Sequence, residues 1–169
     1  MGLKHSGKTT FARLYAERCS VLFEDADYLI QKRIKPLTVR QYYRSMGKES
    51  FMKLEFDAVD DFILAGRKPF VLSLGGGACD NTALMERIGT EGKLVYLHRN
   101  ESDMLPVILK DGVPPFLDES DLEGSFHVLY EKRDSLYRQY ADQVIELGPY
   151  RDLEETFSLL LNRLKEDLS

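Results

Sequence analysis

Eight residues near the amino terminus, Gly2-Leu3-Lys4-His5-Ser6-Gly7-Lys8-Thr9, set two glycines five positions apart and follow the second with Lys-Thr. Residues 8–18 then run with helical periodicity, Phe11, Leu14 and Tyr15 falling on one side. A glycine-flanked turn feeding a helix is a mechanical device for holding a chain of phosphates. Glycine lets the backbone wrap until its N–H groups point inward, and the helix adds the positive end of its dipole. The spacing is that of the phosphate loop G-x-x-x-x-G-K-[ST], whose lysine reaches the terminal phosphates and whose hydroxyl ligates Mg²⁺. A plain glycine-rich helix cap is the competing reading, and it leaves the Lys-Thr pair unexplained.

On this pattern Gly2, Lys4, His5, Ser6, Gly7, Lys8, Thr9 and Thr10 are the candidate nucleotide-binding residues, with ATP and Mg²⁺ as the cofactors. Lys8 is also the first catalytic candidate and Thr9 the first metal ligand. A loop of this kind hangs from the end of a β-strand, yet only Met1 precedes Gly2. The expectation is a natural start further upstream, and a poorly held loop with reduced ATP affinity in the chain as written.

The remaining sequence alternates helical periods with short β-rich runs, the pattern of an α/β domain built on a parallel sheet. Strands are predicted at Val21–Phe23, Phe70–Leu74, Leu94–Leu97 and, more weakly, Val144–Leu147. A long helix is predicted over about 49–65, and a last helix from its cap Asp152, with Glu154 and Glu155 at the positive end. Residues 111–124 have no period and many turn formers, as a lid or a surface loop would. At 169 residues the chain is sized for one domain.

Composition narrows the partners. A net charge of −5 without any basic block argues against nucleic acid. The apolar runs are strand-length, which argues against a membrane span, and the start does not read as a signal peptide. Two cysteines without a metal-ligand spacing fit a reduced, cytoplasmic setting. A soluble small molecule and a monomeric protein are the resulting expectations.

Three further groups stand at strand ends or on helices. Asp25-Ala26-Asp27 follows a strand, and residues two apart on extended backbone face the same way. One of the two carboxylates could hold a Mg²⁺-bound water while the other takes a substrate hydroxyl, unless Asp27 only caps a helix starting at Tyr28. Gly75-Gly76-Gly77 removes every side chain at a strand end, which suits a ligand touching backbone N–H groups or a plain tight turn. Arg133 is a candidate carboxylate clamp through its planar fork, or a solvated helix charge.

In their order along the chain these pieces resemble the shikimate kinase family. The phosphate loop, Asp25-x-Asp27, the helix pattern ending in Phe51 and Glu55, the glycine triplet, a lid and Arg133-x-x-Leu136-Tyr137 cover essentially the whole sequence. The resemblance implies a P-loop, three-layer α/β fold with strand order 2-3-1-4-5, its first strand lacking here. Within one domain it implies a helical substrate-binding region at about 28–65 and a lid at about 110–124. It further implies transfer of the γ-phosphoryl group of ATP to the 3-hydroxyl of shikimate, a step of aromatic amino acid biosynthesis. By position it makes Asp27 a substrate ligand and base, Gly76 and Gly77 backbone contacts to substrate, Arg133 its carboxylate partner, Glu55 a support of the pocket, and Thr9 and Asp25 the metal side.

The departures are specific. Met52 stands where the family carries a second substrate arginine, and Pro114 where it carries the lid arginine. Pro106-Val107 replaces basic residues expected at the adenine. Lys48, Lys53 and Lys110 are the nearest cations. Two alternatives therefore stand beside a divergent shikimate kinase: a kinase for another hydroxy acid such as gluconate, and a homologue that holds nucleotide without turnover.

Overall fold

The computed structural model describes residues 1–110, 113 and 117–166, an α/β fold divided into two compact units. Of the stretch 110–124 read as a lid, residues 111, 112 and 114–116 lie outside the described residues, Pro114 among them.

One unit spans Thr9–Gly92. Helix α1, Lys8–Cys19, leads into strand β1, Leu22–Asp25, and then into helix α2, Ala26–Ile34. Helix α3, Val39–Leu64, follows, with strand β2, Phe70–Ser73, a single 3₁₀ turn at Ala78–Asp80 and helix α4, Thr82–Gly89. Strands β1 and β2 pair in parallel, with Leu22 opposite Phe70 and Asp25 opposite Ser73. β1 begins later than the predicted strand and runs through the first aspartate. Against these strands the α2–α3 layer builds its own core, in which Ile30, Ile34 and Ala58 are buried beneath Leu29, Val39, Tyr42, Phe51 and Leu54.

The long helix starts ten residues before its predicted position, at Val39 against 49. Thr38 caps it, accepting from the Gln41 amide while the Gln41 side chain accepts from the Thr38 amide. That reciprocal box stands in the sequence as Thr38-x-x-Gln41 and marks a start that hydrophobic periodicity alone passes over. Gly47, at φ 80° and ψ 177°, breaks the run into two helical segments, a left-handed φ that glycine tolerates without a Cβ penalty. The predicted helix is the second segment.

The other unit joins Met1–Lys8 to Lys93–Ser169. It holds strand β3, Val95–His98, helix α5, Glu101–Lys110, helix α6, Leu122–Tyr140, strand β4, Gln143–Glu146, and helix α7, Leu153–Glu166. β3 and β4 are parallel, with Val95 opposite Gln143. α7 begins as predicted, Asp152 accepting from the amides of Glu154 and Glu155. Helix α4 buries Leu84, Met85 and Ile88, α5 buries Met104 and Ile108, and α6 buries Phe126, Tyr130 and Tyr137.

The described strands form two separate two-stranded parallel sheets, β1–β2 and β3–β4. Beside β3, Met1 donates from its amine to the Val95 carbonyl at 2.8 Å, and its own carbonyl accepts from the Leu97 amide at 2.9 Å. This is one complete parallel bridge opposite Tyr96. Burial, reinforced by the charge of Lys8, pushes the Met1 amine down to about 5.

Ile30 is fully buried at the centre of the α2–α3 core. Ile30→Ala is expected to lower unfolding free energy by about 2–4 kcal/mol through lost burial and the residual cavity, read as a shifted urea midpoint at unchanged slope.

Candidate active site

The phosphate loop is wound by three positive φ values, 154° at Gly2, 68° at His5 and 92° at Gly7. At Gly2 the constraint is also spatial, since a Cβ there would lie 2.8 Å from the Leu97 carbonyl oxygen and 2.7 Å from Ser6 Oγ. No larger residue fits between the loop and the strand behind it. The Ser6 amide closes the turn on the Leu3 carbonyl at 3.2 Å, and the Lys8 ammonium lies over the same carbonyl at 3.4 Å. Ser6 is buried, and its hydroxyl has no hydrogen-bond partner among the described residues. Lys4 and Thr10 are exposed, whereas His5 is half-buried and enters the loop through its backbone.

Thr9, the next residue of α1, belongs to an oxygen cluster at the strand ends. Its hydroxyl donates to Asp25 Oδ2 at 2.9 Å and lies 3.1 Å from Ser73 Oγ. Asp25 and Ser73 meet there because they are register partners, the last residues of β1 and β2. Asp25 Oδ1 accepts from the amides of Asp27 and Tyr28, which makes Asp25, not Asp27, the cap of α2. A carboxylate and two hydroxyls form a hard-oxygen set, and Mg²⁺ with its retained waters suits such a set. Ser73 was not among the sequence candidates. Its signal is positional: it ends a strand just before the glycine triplet.

Asp27 lies in the first turn of α2, so its relation to Asp25 is not the extended same-face one that the spacing suggested. It packs instead over the glycine triplet. A Cβ at Gly75 would lie 2.8 Å from Asp27 Oδ1 and 3.7 Å from Glu55 Oε1. The first glycine of the triplet is therefore required by close approach, and none of the three has a positive φ. Gly76 and Gly77 are half-buried, and the Gly77 carbonyl accepts from the Asp80 amide at 3.0 Å.

Glu55 is the buried carboxyl of this group, at 4% exposure. Asn81 donates to its Oε2 at 2.9 Å and to the Met52 carbonyl at 2.8 Å. Asn81 also caps α4, so a single buried amide ties three segments together. Burial pushes the Glu55 pKa up, the Asn81 bond opposes this, and Asp27 and Asp80 push the same way as burial. Asn81 was missed in the sequence because an asparagine before a helix reads only as a cap.

Arg133 is half-buried on α6, in the unit that carries the phosphate loop. Of the cations near the missing arginines, Lys53 pairs with Asp57 at 3.0 Å, while Lys48 and Lys110 are exposed. Both cysteines are free thiols, Cys19 exposed and Cys79 buried. No helix among the described residues is long and apolar enough to cross a membrane.

A glycine-wound loop entering a helix through Lys-Thr, with an aspartate from the neighbouring strand on that threonine, defines the class of P-loop phosphotransferases. The shikimate kinase family model matches residues 4–165. The shikimate kinase of Burkholderia lata is 35% identical over 148 residues, which cover 88% of this chain and 79% of the relative. That of Neisseria meningitidis serogroup C is 32% identical over 167 residues, 97% of this chain and 93% of the relative. Among solved structures, shikimate kinase from Acinetobacter baumannii in complex with shikimate superposes with a TM-score of 0.82 at 28% identity, covering 99% of this chain and 92% of that one. The enzyme from Bacteroides thetaiotaomicron gives 0.81 at 27% identity, with 99% and 94% covered. This chain belongs to the shikimate kinase family.

The Glu55 environment has a consequence for stability. With its pKa raised above the ordinary 4.5, the folded protein keeps a proton that the unfolded chain has already released. The stability this carboxyl contributes is therefore greatest below about pH 4.5 and declines as pH rises from there through the raised value. Glu55→Gln removes this dependence while keeping an acceptor for Asn81. Denaturant melts of both proteins at pH 5 and pH 8 are expected to show the variant gaining on wild type at the higher pH, by about 1.4 kcal/mol for every tenfold weakening of the acid on folding. Parallel losses would mean that the carboxyl is not held neutral.

Proposed function

We propose that the chain transfers the γ-phosphoryl group of ATP to the 3-hydroxyl of shikimate, releasing ADP and shikimate 3-phosphate. The observation that carries this reading is the Thr9 hydroxyl held between Asp25 and Ser73 immediately after the loop lysine. Thr9, Asp25 and Ser73 are the residues that would hold Mg²⁺, directly or through its waters. The ion, when bound, neutralises phosphate charge and polarises the group being transferred.

The protein's own groups divide the work. Loop amides grip the phosphates, and Lys8 supplies a compact positive charge where negative charge gathers in transfer. The acceptor oxygen forms its bond to phosphorus as the bond from phosphorus to the β–γ bridging oxygen breaks. Asp27, exposed at the head of α2, takes the proton from that hydroxyl. Backbone at Gly76 and Gly77 and the fork of Arg133 bind the acceptor, whose carboxylate meets Arg133. Glu55 holds Asn81 and, through it, the Met52 turn of α3, within the helical region 28–65 that frames the acceptor.

Met52 favours one second reading, a hydroxy acid with less need of a second arginine. Losing a charge-assisted bidentate contact costs about 1.5–3 kcal/mol of binding. ADP release measured with shikimate, with gluconate and with no acceptor separates the readings. Release that depends on shikimate is expected, and acceptor-independent or absent release would remove the proposal. Lys8→Ala is expected to abolish nucleotide binding in calorimetry with ATP–Mg²⁺, and retained affinity would count against the loop assignment. Met52→Arg is expected to lower the shikimate KM by about tenfold or more, the value of one such contact. An unchanged KM would place the carboxylate elsewhere.

A further inference from the structure

Arg99 follows β3 directly and is only 3% exposed, and its guanidinium's hydrogen-bond partners among the described residues are backbone carbonyls. Nη1 donates to the Gly148 carbonyl at 2.7 Å, and Nε reaches the Ser6 carbonyl at 3.4 Å, inside the phosphate loop. The face of the guanidinium lies 4.1 Å from the ring centre of Tyr150. Tyr150 in turn donates its hydroxyl to the His5 carbonyl at 2.9 Å. The backbone of Arg99 is itself anchored, its carbonyl accepting from Tyr130 Oη at 2.9 Å. Burying an arginine in this way is costly unless its charge serves something nearby. Desolvation lowers its pKa, with Tyr150 and Asp103 opposing.

The two carbonyls held from this side belong to consecutive peptide units. In a planar trans peptide the C=O and N–H point in opposite directions. Fixing the His5 and Ser6 carbonyls against Tyr150 and Arg99 therefore turns the Ser6 and Gly7 amides to the other side. The Ser6 amide is used to close the turn on Leu3, whereas the Gly7 amide makes no hydrogen bond among the described residues. His5 sits at φ 68°, a conformation disfavoured for a residue with a Cβ and in need of an external hold.

Resting on the nucleotide-binding reading above, we propose that Arg99 and Tyr150 are positioning residues of the phosphate loop. They clamp its peptide planes from the side away from the phosphates, so that the Gly7 amide is set before nucleotide arrives. Arg99 adds a buried positive charge behind the loop. Neither residue touches the acceptor, so their effect falls on nucleotide affinity and leaves acceptor binding alone.

The test is calorimetry with ATP–Mg²⁺ and steady-state kinetics on wild type, Tyr150→Phe, Arg99→Lys and Arg99→Met. Tyr150→Phe keeps the ring over Arg99 and loses only the bond to His5. Its Kd and KM for ATP are expected to rise about fivefold, the worth of one neutral hydrogen bond. Its kcat, its shikimate KM and its melting temperature should stay near wild type. Arg99→Met is expected to weaken ATP binding more than Tyr150→Phe does, with Arg99→Lys recovering part of the loss through its charge. A Tyr150→Phe protein that binds ATP as tightly as wild type overturns the clamp alone. So does one in which shikimate KM and melting temperature worsen together with ATP affinity. A wild type that binds no ATP overturns the nucleotide reading and the clamp with it.

Discussion

Two parallel strands that end in register fix the chemistry of the Thr9–Gly92 unit. Asp25 closes β1 and Ser73 closes β2, and because they are paired partners their side chains reach the same hydroxyl, that of Thr9. The same aspartate uses its second oxygen to start α2, so the carboxylate is locked by the helix that follows it. A slip of one residue in the β1–β2 register would turn Asp25 to the opposite face and dissolve both arrangements. The oxygen cluster thus depends on backbone pairing along the whole of two four-residue strands.

The phosphate loop depends on a different constraint, which is space. Gly2 passes so near the Leu97 carbonyl that only a hydrogen fits on its inner side. Met1 holds that approach by bridging to β3. Gly75 repeats the logic beneath Asp27. At both positions the glycine is explained by what another part of the chain brings close, and at Gly75 by nothing else.

This separates what the sequence discloses from what it hides. Local mechanics are legible: the loop spacing before α1, the four strands to within about two residues, the Asp152 cap and the amphipathic part of α3 all appear where their residues say they should. The helix from Thr38 was equally legible, through its capping box, but periodicity averaged across the Gly47 break conceals it. Contacts between distant residues are another matter. Ser73 reaches Thr9 across 64 positions, and Asn81 reaches Glu55 across 26. A serine at a strand end and an asparagine before a helix each have an ordinary local explanation, so neither announces its second role. The Asp-x-Asp spacing shows the reverse error, since a helix begins between the two carboxylates and sets them in different environments.

The buried polar group beside Met52 shows what an uncharged residue at that position permits. The Met52 carbonyl shares the Asn81 amide with Glu55, so the turn of α3 that would carry the second arginine is held by an uncharged link. A carboxylate kept closer to neutrality by burial requires no cation beside it, and an apolar methionine on the same turn raises no desolvation conflict with it. Met52 and the raised Glu55 are in that sense one feature.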